Sequence, residues 1–303
     1  MSILATAADP LVAQPRAERP AYATGMLLDA QDFSDEQTYH RGRLARALAA
    51  IAGGGTLAGL GVEYVAQTAT QAEEIRVAPG LAVDRLGRLV ELPRAACRGL
   101  ADWFADVAAS DGGDTLRTSS YDNLARFVSP RLVSSGAVLP ARALVADVFL
   151  RFAQCAVGLT PSFAAGPFDA LNAVSTARIR DAYELQLVPR SGLSDVQRGL
   201  PLPPGAAVLG DTTAAPELRR NAAQDAVLAA YIASGHTGGA ADGLPPGPEH
   251  PPNMDTSAVF IARVLLPVDA ADPPARAADA PLVDNYARRF LPPVPLLAQW
   301  ANL

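Results

Sequence analysis

The sequence predicts an α+β protein, mainly antiparallel β with a few helices. Three observations lead there. A capped helical run lies near the N-terminus. Short β-like segments follow at close spacing over 57–92. Apolar strands then recur at 143–153, 177–189 and 257–269, separated by long polar or proline-rich stretches. The chain's 303 residues suffice for a sizeable core. Its 26 prolines and 24 glycines point to many turns and irregular connections.

Taken in order, residues 1–20 are alanine- and proline-rich without periodicity and read as an extended arm. The run "GMLLDAQDFSDEQTYHRGR" follows. Ser34 and Gln37 form a capping-box pattern that would start a helix there, with Asp35 and Glu36 suited to its positive end. Leu44, Ala47, Leu48 and Ile51 supply an apolar stripe. Arg41, Arg43 and Arg46 come later, toward the negative end, and Gly53-Gly54-Gly55 stop the helix.

The next stretch reads as an antiparallel meander. Leu60, Val62 and Tyr64 alternate, "IRVAPG" is a strand ending at a turn, and "LAVDRLGRLVELP" is two strands joined around Leu86-Gly87. Within 96–140, "GLADWFADVAAS" is expected to be a short helix, "SDGGDTLRTSS" a loop and "YDNLARFVS" a second short helix. "ALVADVFLRFA" reads as a buried strand that pairs with "ARIRDAYELQLVP". The stretch 190–256 contains a helix around "APELRRNAAQDAVLAAYIAS" and a proline- and glycine-rich loop. "SAVFIARVLLPVD" returns to strand, and the chain closes in an apolar, proline-broken tail. The organisation expected is an arm over 1–20 and one mainly β domain over 21–303. Insertions are expected at about 96–140 and 190–256, and coiled-coil heptads are not expected.

Composition excludes several function classes. Net charge is −6, which argues against a general nucleic-acid binder. All 25 basic residues are arginine. Schiff-base chemistry, pyridoxal phosphate attachment and a Walker A phosphate loop each need a lysine and are excluded. Cys97 and Cys155 allow one disulfide at most and do not form a spaced ligand pair. The N-terminus lacks a signal-peptide pattern, and no apolar run reaches about 18 residues, so a chain without a membrane span is expected.

No motif assigns catalysis. The three histidines, His40, His236 and His250, lack partners at metal-ligand spacing, although His236 and His250 flank one glycine-rich loop. "GGGTLAG" follows a helix, whereas a dinucleotide fingerprint precedes one. A GxSxG elbow is absent. "DGGD" at 111–114 lacks the spacing of a calcium loop. Carboxylates are plentiful, but Glu184 beside Arg180 reads as a solvated or ion-paired strand residue. Catalytic, cofactor and metal residues are therefore left unassigned. Tyr39, His40 and Arg41 on the helix are interface candidates, with Arg288, Arg289 and Trp300 near the C-terminus.

Several segments in order carry a resemblance. "YATGMLLDAQDFSDEQTYHRGRLARALAAIAGGGTLAGLGVEYV" and "IRVAPGLAVDRLGRLVELP" open it. "VFLRFAQC", "STARIRDAYELQLV" and "VDNYARR" continue it. Together they resemble a family found with phage-tail-like contractile injection systems. "TGMLLDAQDF" is also similar to the opening of the TssK family of type VI secretion baseplate proteins. The likeness covers about 21–95, 143–190 and 256–290. It departs where the family reads Leu-His-Gly and this chain reads Gly53-Gly54-Gly55. It implies a structural place in a baseplate, tail or fibre attachment. The chain would assemble in the cytoplasm, as an oligomer with other tail or baseplate proteins, before joining the particle. Two alternatives stand beside it: a carboxylate-based hydrolase of glycans or cell walls, and a glycan- or receptor-binding module.

Overall fold

Helix α1 spans Ala30–Ile51. Its start differs from the Ser34 expectation. Asp29 is the cap, accepting from the Gln31 N–H at 2.8 Å and the Asp32 N–H at 3.1 Å, while Asp32 accepts from the Asp29 N–H at 3.0 Å. Two box patterns lie five residues apart, and nothing between them breaks a helix, so the earlier one starts it. The arginines also sit away from the last turn, which carries no basic residue. The glycine stop holds: Gly53 takes φ +71° and its N–H donates to Ala49 O at 3.0 Å.

The computed structural model describes residues 9–11, 18–161, 174–193, 208–209, 211–233, 244, 247 and 249–301. After α1 come β1 (Gly55–Gly59), β2 (Val62–Val65), β3 (Glu74–Val77), β4 (Gly80–Val83), β5 (Leu89–Leu92) and β6 (Ala96–Gly99). They are antiparallel, as expected, but interleave into two sheets, ordered β1-β4-β5 and β2-β3-β6, instead of one meander. The division falls at Leu60, whose φ of 56° breaks what alternation alone reads as one strand. The expected turn between β4 and β5 is present. Asp84 Oδ1 accepts from the N–H groups of Leu86 and Arg88, and Gly87 takes φ +84°.

Helix α2 (Leu100–Ser110) forms as expected. The "SDGGDTLRTSS" stretch is not all loop: α3 (Asp114–Thr118) forms within it, seeded by Asp111 accepting from the Thr115 N–H at 2.9 Å. The second expected helix is replaced by strand β7 (Ser120–Asp122) and a single 3-10 turn, Leu124–Phe127. Asn123 at φ 53° separates them. A short α4 (Pro130–Ser134) is capped by Ser129.

The central element is β8, Arg142–Pro161, which is longer than its apolar signal. It pairs antiparallel with β9 (Val174–Pro189), from Ala146↔Pro189 to Pro161↔Val174. β7 pairs with residues 142–144 of β8. Helix α5 (Pro216–Ala233) follows. β10 (Val259–Pro267) then lines β8 from Leu150 to Ala143, so β7 and β9 lie end to end along the opposite edge. β11 (Leu282–Asp284) borders β10, and α6 (Val294–Ala301) ends the described chain.

Alternation along β8 divides the core. Leu144, Ala146, Val148 and Leu150 share one cluster with Leu60, Val62, Ile75, Val90, Leu100, Trp103 and Ile261. Ala143 and Val145 face Leu124, Phe127, Leu132 and Leu265 on the other side. With both faces covered, β8 is buried continuously from Ala143 to Leu150 and apolar there except for Asp147.

Candidate docking surface

α1 is seated on the body over a narrow strip. Gly42 and Ala45 are its buried residues. The contact is close because Gly87 has no side chain: a Cβ there would lie 1.7 Å from Ala45 O. The opposite face is open. Phe33, Gln37, His40, Leu44, Ala47 and Ile51 are all exposed, Leu44 at 63% and Ile51 at 86%. Three of the stripe's four residues, Leu44, Ala47 and Ile51, thus face solvent, against the ordinary expectation that such a stripe seats a helix on its core; Leu48 is half-buried. The small residues Gly42 and Ala45 make the seat instead. The segment before the helix adds Met26, Leu27 and Leu28, with Leu27 at 95%.

The expected interface residues on α1 take different roles. His40 is exposed, with Nε2 3.9 Å from Glu36 Oε1. Tyr39 meets the His40 ring edge-on at 5.4 Å, and the guanidinium groups of Arg43 and Arg19 lie 5.2 and 5.7 Å from its ring centroid. Arg41 is committed inward: its Nη2 donates to Asp9 Oδ1 at 3.2 Å. Asp9 Oδ2 accepts from Arg88 Nη1 at 3.0 Å. The described part of the N-terminal arm therefore lies on its own chain, with Leu11 buried.

That contact belongs to a longer relay. Arg88 Nε donates to Asp84 Oδ2 at 2.6 Å, and its Nη2 donates to Ser257 Oγ at 2.8 Å. Ser257 Oγ donates to Asp255 Oδ1 at 2.7 Å. Asp255 Oδ2 lies 3.6 Å from Arg151 Nη1, and Arg151 Nε donates to Glu184 Oε2 at 2.9 Å. Charges alternate from Arg41 on α1 to Glu184 on β9. Register decides the last pair: Arg151 and Glu184 are direct cross-strand partners, whereas Arg180 stands opposite Cys155.

Arg151, Glu184 and Asp255 line an open cleft of about 580 Å³, with Arg98, Trp103 and Met254. Burial would raise the Glu184 carboxyl, but hydrogen bonds from Gln186 and Arg151 outweigh it and hold it below its usual range. Burial acts likewise on Asp255, and its Ser257 hydrogen bonds, with the charges of Arg88 and Arg151, bring it below normal. Trp103 is buried and donates to Leu187 O at 2.8 Å.

Arg288 is inside, and its guanidinium is not offered to a partner. It donates to Leu60 O at 2.7 Å and to Asn285 O at 2.8 Å, and burial lowers it to about 10. Arg289 is half-buried and reaches Gly54 O at 3.4 Å. Trp300 lies in α6, its side chain outside the described residues. His250 is buried between Gly247, whose N–H donates to Nδ1 at 3.1 Å, and Ala258, whose carbonyl meets Nε2 at 3.0 Å. His236 lies outside the described residues. Among the described residues, no group of three His, Cys, Asp or Glu is placed to hold a metal ion. None of their helices is long and apolar enough to cross a membrane.

A second exposed element is the outer end of the β8–β9 ribbon, residues 158–161 of β8 with 174–181 of β9. From Ala153↔Ala182 outward the ribbon has two strands among the described residues, and residues 174–181 of β9 are all exposed. Two-stranded ribbons are marginal alone. Neither the protein-family models nor the curated proteins contain a match to this chain.

Proposed function

We propose that the chain is a structural component of a contractile, phage-tail-like particle, a baseplate, tail or fibre adaptor that acts by oligomeric docking. The observation that carries this reading is the open face of α1. A helix of 22 residues has only two small buried residues, Gly42 and Ala45, while Phe33, Leu44 and Ile51 face water. A stripe of this kind on a stably seated helix marks a contact surface. The exposed outer end of the β8–β9 ribbon, largely polar and charged over 174–181, adds a second surface. The ordered likeness of the chain's segments to the injection-system family gives the docking its setting. Assembly would take place in the cytoplasm, with other tail or baseplate proteins as neighbours.

The hydrolase alternative would use the cleft acids, and their electrostatics suit it poorly. A glycosidase needs one carboxyl that keeps its proton near neutrality. Glu184 and Asp255 are both held below their usual range. A glycan-binding face would need an exposed aromatic platform, and Trp103 in the cleft is buried.

The test is co-sedimentation. The chain, tagged in its source cell, is followed through a gradient that separates assembled particles from free protein. It is expected to run with sheath- and tube-containing fractions at a fixed ratio to them. A chain found wholly among free protein, with particles assembled normally in its absence, would overturn the reading.

A further inference from the structure

We propose that α1 packs antiparallel against α1 of a second copy of this chain, Phe33 of each meeting Leu44 of the other. The proposal rests on the docking reading above and names the occupant of its principal surface. Three features of α1 carry it.

The first is spacing. The exposed residues Phe33, Gln37, His40, Leu44, Ala47 and Ile51 follow one another at alternating steps of four and three. That is the seam spacing of paired helices, and it extends over about 27 Å. Gly42 and Ala45 lie on the opposite side, against the body. The seam residues are therefore exposed along its length while the helix keeps its seat.

The second is charge. Asp29, Asp32, Asp35 and Glu36 all precede His40 and Arg43 and Arg46 follow it, with Glu36 and Arg43 beside the seam; Arg41 is held by Asp9. A parallel pair would set acid against acid. An antiparallel pair sets each acidic half on the other copy's basic half, and opposes the two helix dipoles. The surface is thus complementary to itself under a two-fold axis, as an isologous dimer requires.

The third is register. Phe33 against Leu44 places Gln37 of one copy opposite His40 of the other, on both sides of the axis. This gives a polar layer able to hydrogen-bond, of the sort that fixes alignment in paired helices. Glu36 then flanks Arg43 across the pair. Ile51 at the helix end comes toward the exposed Met26–Leu28 segment of the other copy, which covers apolar surface beyond the helix itself.

The experiment uses the purified full-length chain in sedimentation velocity over a concentration series. The wild type is expected to dimerise. Two variants spare the cap and the Arg41–Asp9 contact: Arg43→Glu with Arg46→Glu, and Asp35→Arg with Glu36→Arg. Each alone should dimerise at least about tenfold more weakly, since every flanking pair becomes repulsive. Mixed in equal amounts, the two should regain dimers, because the acidic helix of one now meets the basic helix of the other. Unchanged circular dichroism and melting confirm folding. In a Cys97→Ser, Cys155→Ser background, Phe33→Cys mixed with Leu44→Cys should cross-link between copies. A Leu44→Cys chain that cross-links readily to itself would indicate a parallel pair and overturn the proposal. So would a monomeric wild type, reversed variants that dimerise like wild type, or a mixture that stays monomeric. A monomeric wild type that still runs with particles would place a different protein on α1. It would leave the structural reading standing.

Discussion

Asp147 on β8 and Arg263 on β10 are direct cross-strand partners, and both are buried. Arg263 Nε donates to Asp147 Oδ1 at 2.7 Å and its Nη2 to Oδ2 at 3.0 Å, a bidentate pair. Arg190 approaches the same carboxylate, Nε to Oδ2 at 3.2 Å. Asp147 thus meets two buried guanidinium groups on one face of the main sheet. Arg263 also donates to Phe127 O at 2.8 Å, which ties the 3-10 turn to the sheet.

Asp147→Ala is therefore expected to cost about 3–5 kcal/mol, the range for stranding a buried charge. Urea denaturation followed by circular dichroism measures it. A loss below about 1 kcal/mol would mean that water or other acceptors replace the carboxylate without difficulty.

Gly87→Ala tests the seat of α1. The added Cβ would meet Ala45 O at 1.7 Å, and Gly87 already holds a left-handed backbone. Left-handed strain and overpacking together are expected to cost about 2–4 kcal/mol. Hydrogen exchange should show the loss concentrated in α1 and the β4–β5 turn, with β8 and β10 protected as before. Uniform loosening would mean that α1 is not a separable layer.

Asn285 completes the edge of β2 in place of a strand. Its Oδ1 accepts from the Val62 N–H at 2.8 Å, and its Nδ2 donates to Val62 O at 2.7 Å. Asn285→Ala leaves both backbone groups without that partner and is expected to cost about 2 kcal/mol. Asn285→Asp keeps the acceptor and loses the donor, so it should fall between wild type and alanine in the same denaturation measurement.

The elements legible in the sequence are those set by local pattern. The Leu86-Gly87 turn, the glycine stop after α1, α2, and the β8–β9 pairing all follow from spacing that a few residues determine. What was not legible depends on register or on backbone choices among equals. Asp29 and Ser34 offer similar caps, and only the continuous helix between them decides. Leu60 interrupts a strand that alternation runs through. The relay from Arg41 through Asp9, Arg88, Asp255 and Arg151 to Glu184 joins residues from distant parts of the sequence. Nothing in residue type alone tells Arg151 from Arg180 as the partner of Glu184. The open seam of α1 was hidden for a related reason: an apolar stripe does not say whether a core or a neighbour covers it.

His250 gives stability a pH dependence whose sign can be worked out. Burial lowers its pKa from the ordinary 6.5, and nearby Arg85 acts the same way. The Ala258 and Gly247 hydrogen bonds and Glu249 oppose them without prevailing. In the folded chain the ring is neutral, with Nε2–H donating to Ala258 O and Nδ1 accepting from Gly247. In the unfolded chain it takes up a proton as pH falls through about 6.5. Stability from this group is therefore complete above that pH. It is lost as pH falls toward the folded value, by about 1.4 kcal/mol for each unit of separation. Glu184 and Asp255, both lowered, contribute in the same direction but in a more acidic window, below about pH 4. The urea midpoint of the wild type is thus expected to fall between about pH 7 and pH 5. His250→Gln, less stable at neutral pH, should show a flatter profile over that interval and approach the wild type at its acidic end. Parallel profiles would assign the dependence to other groups.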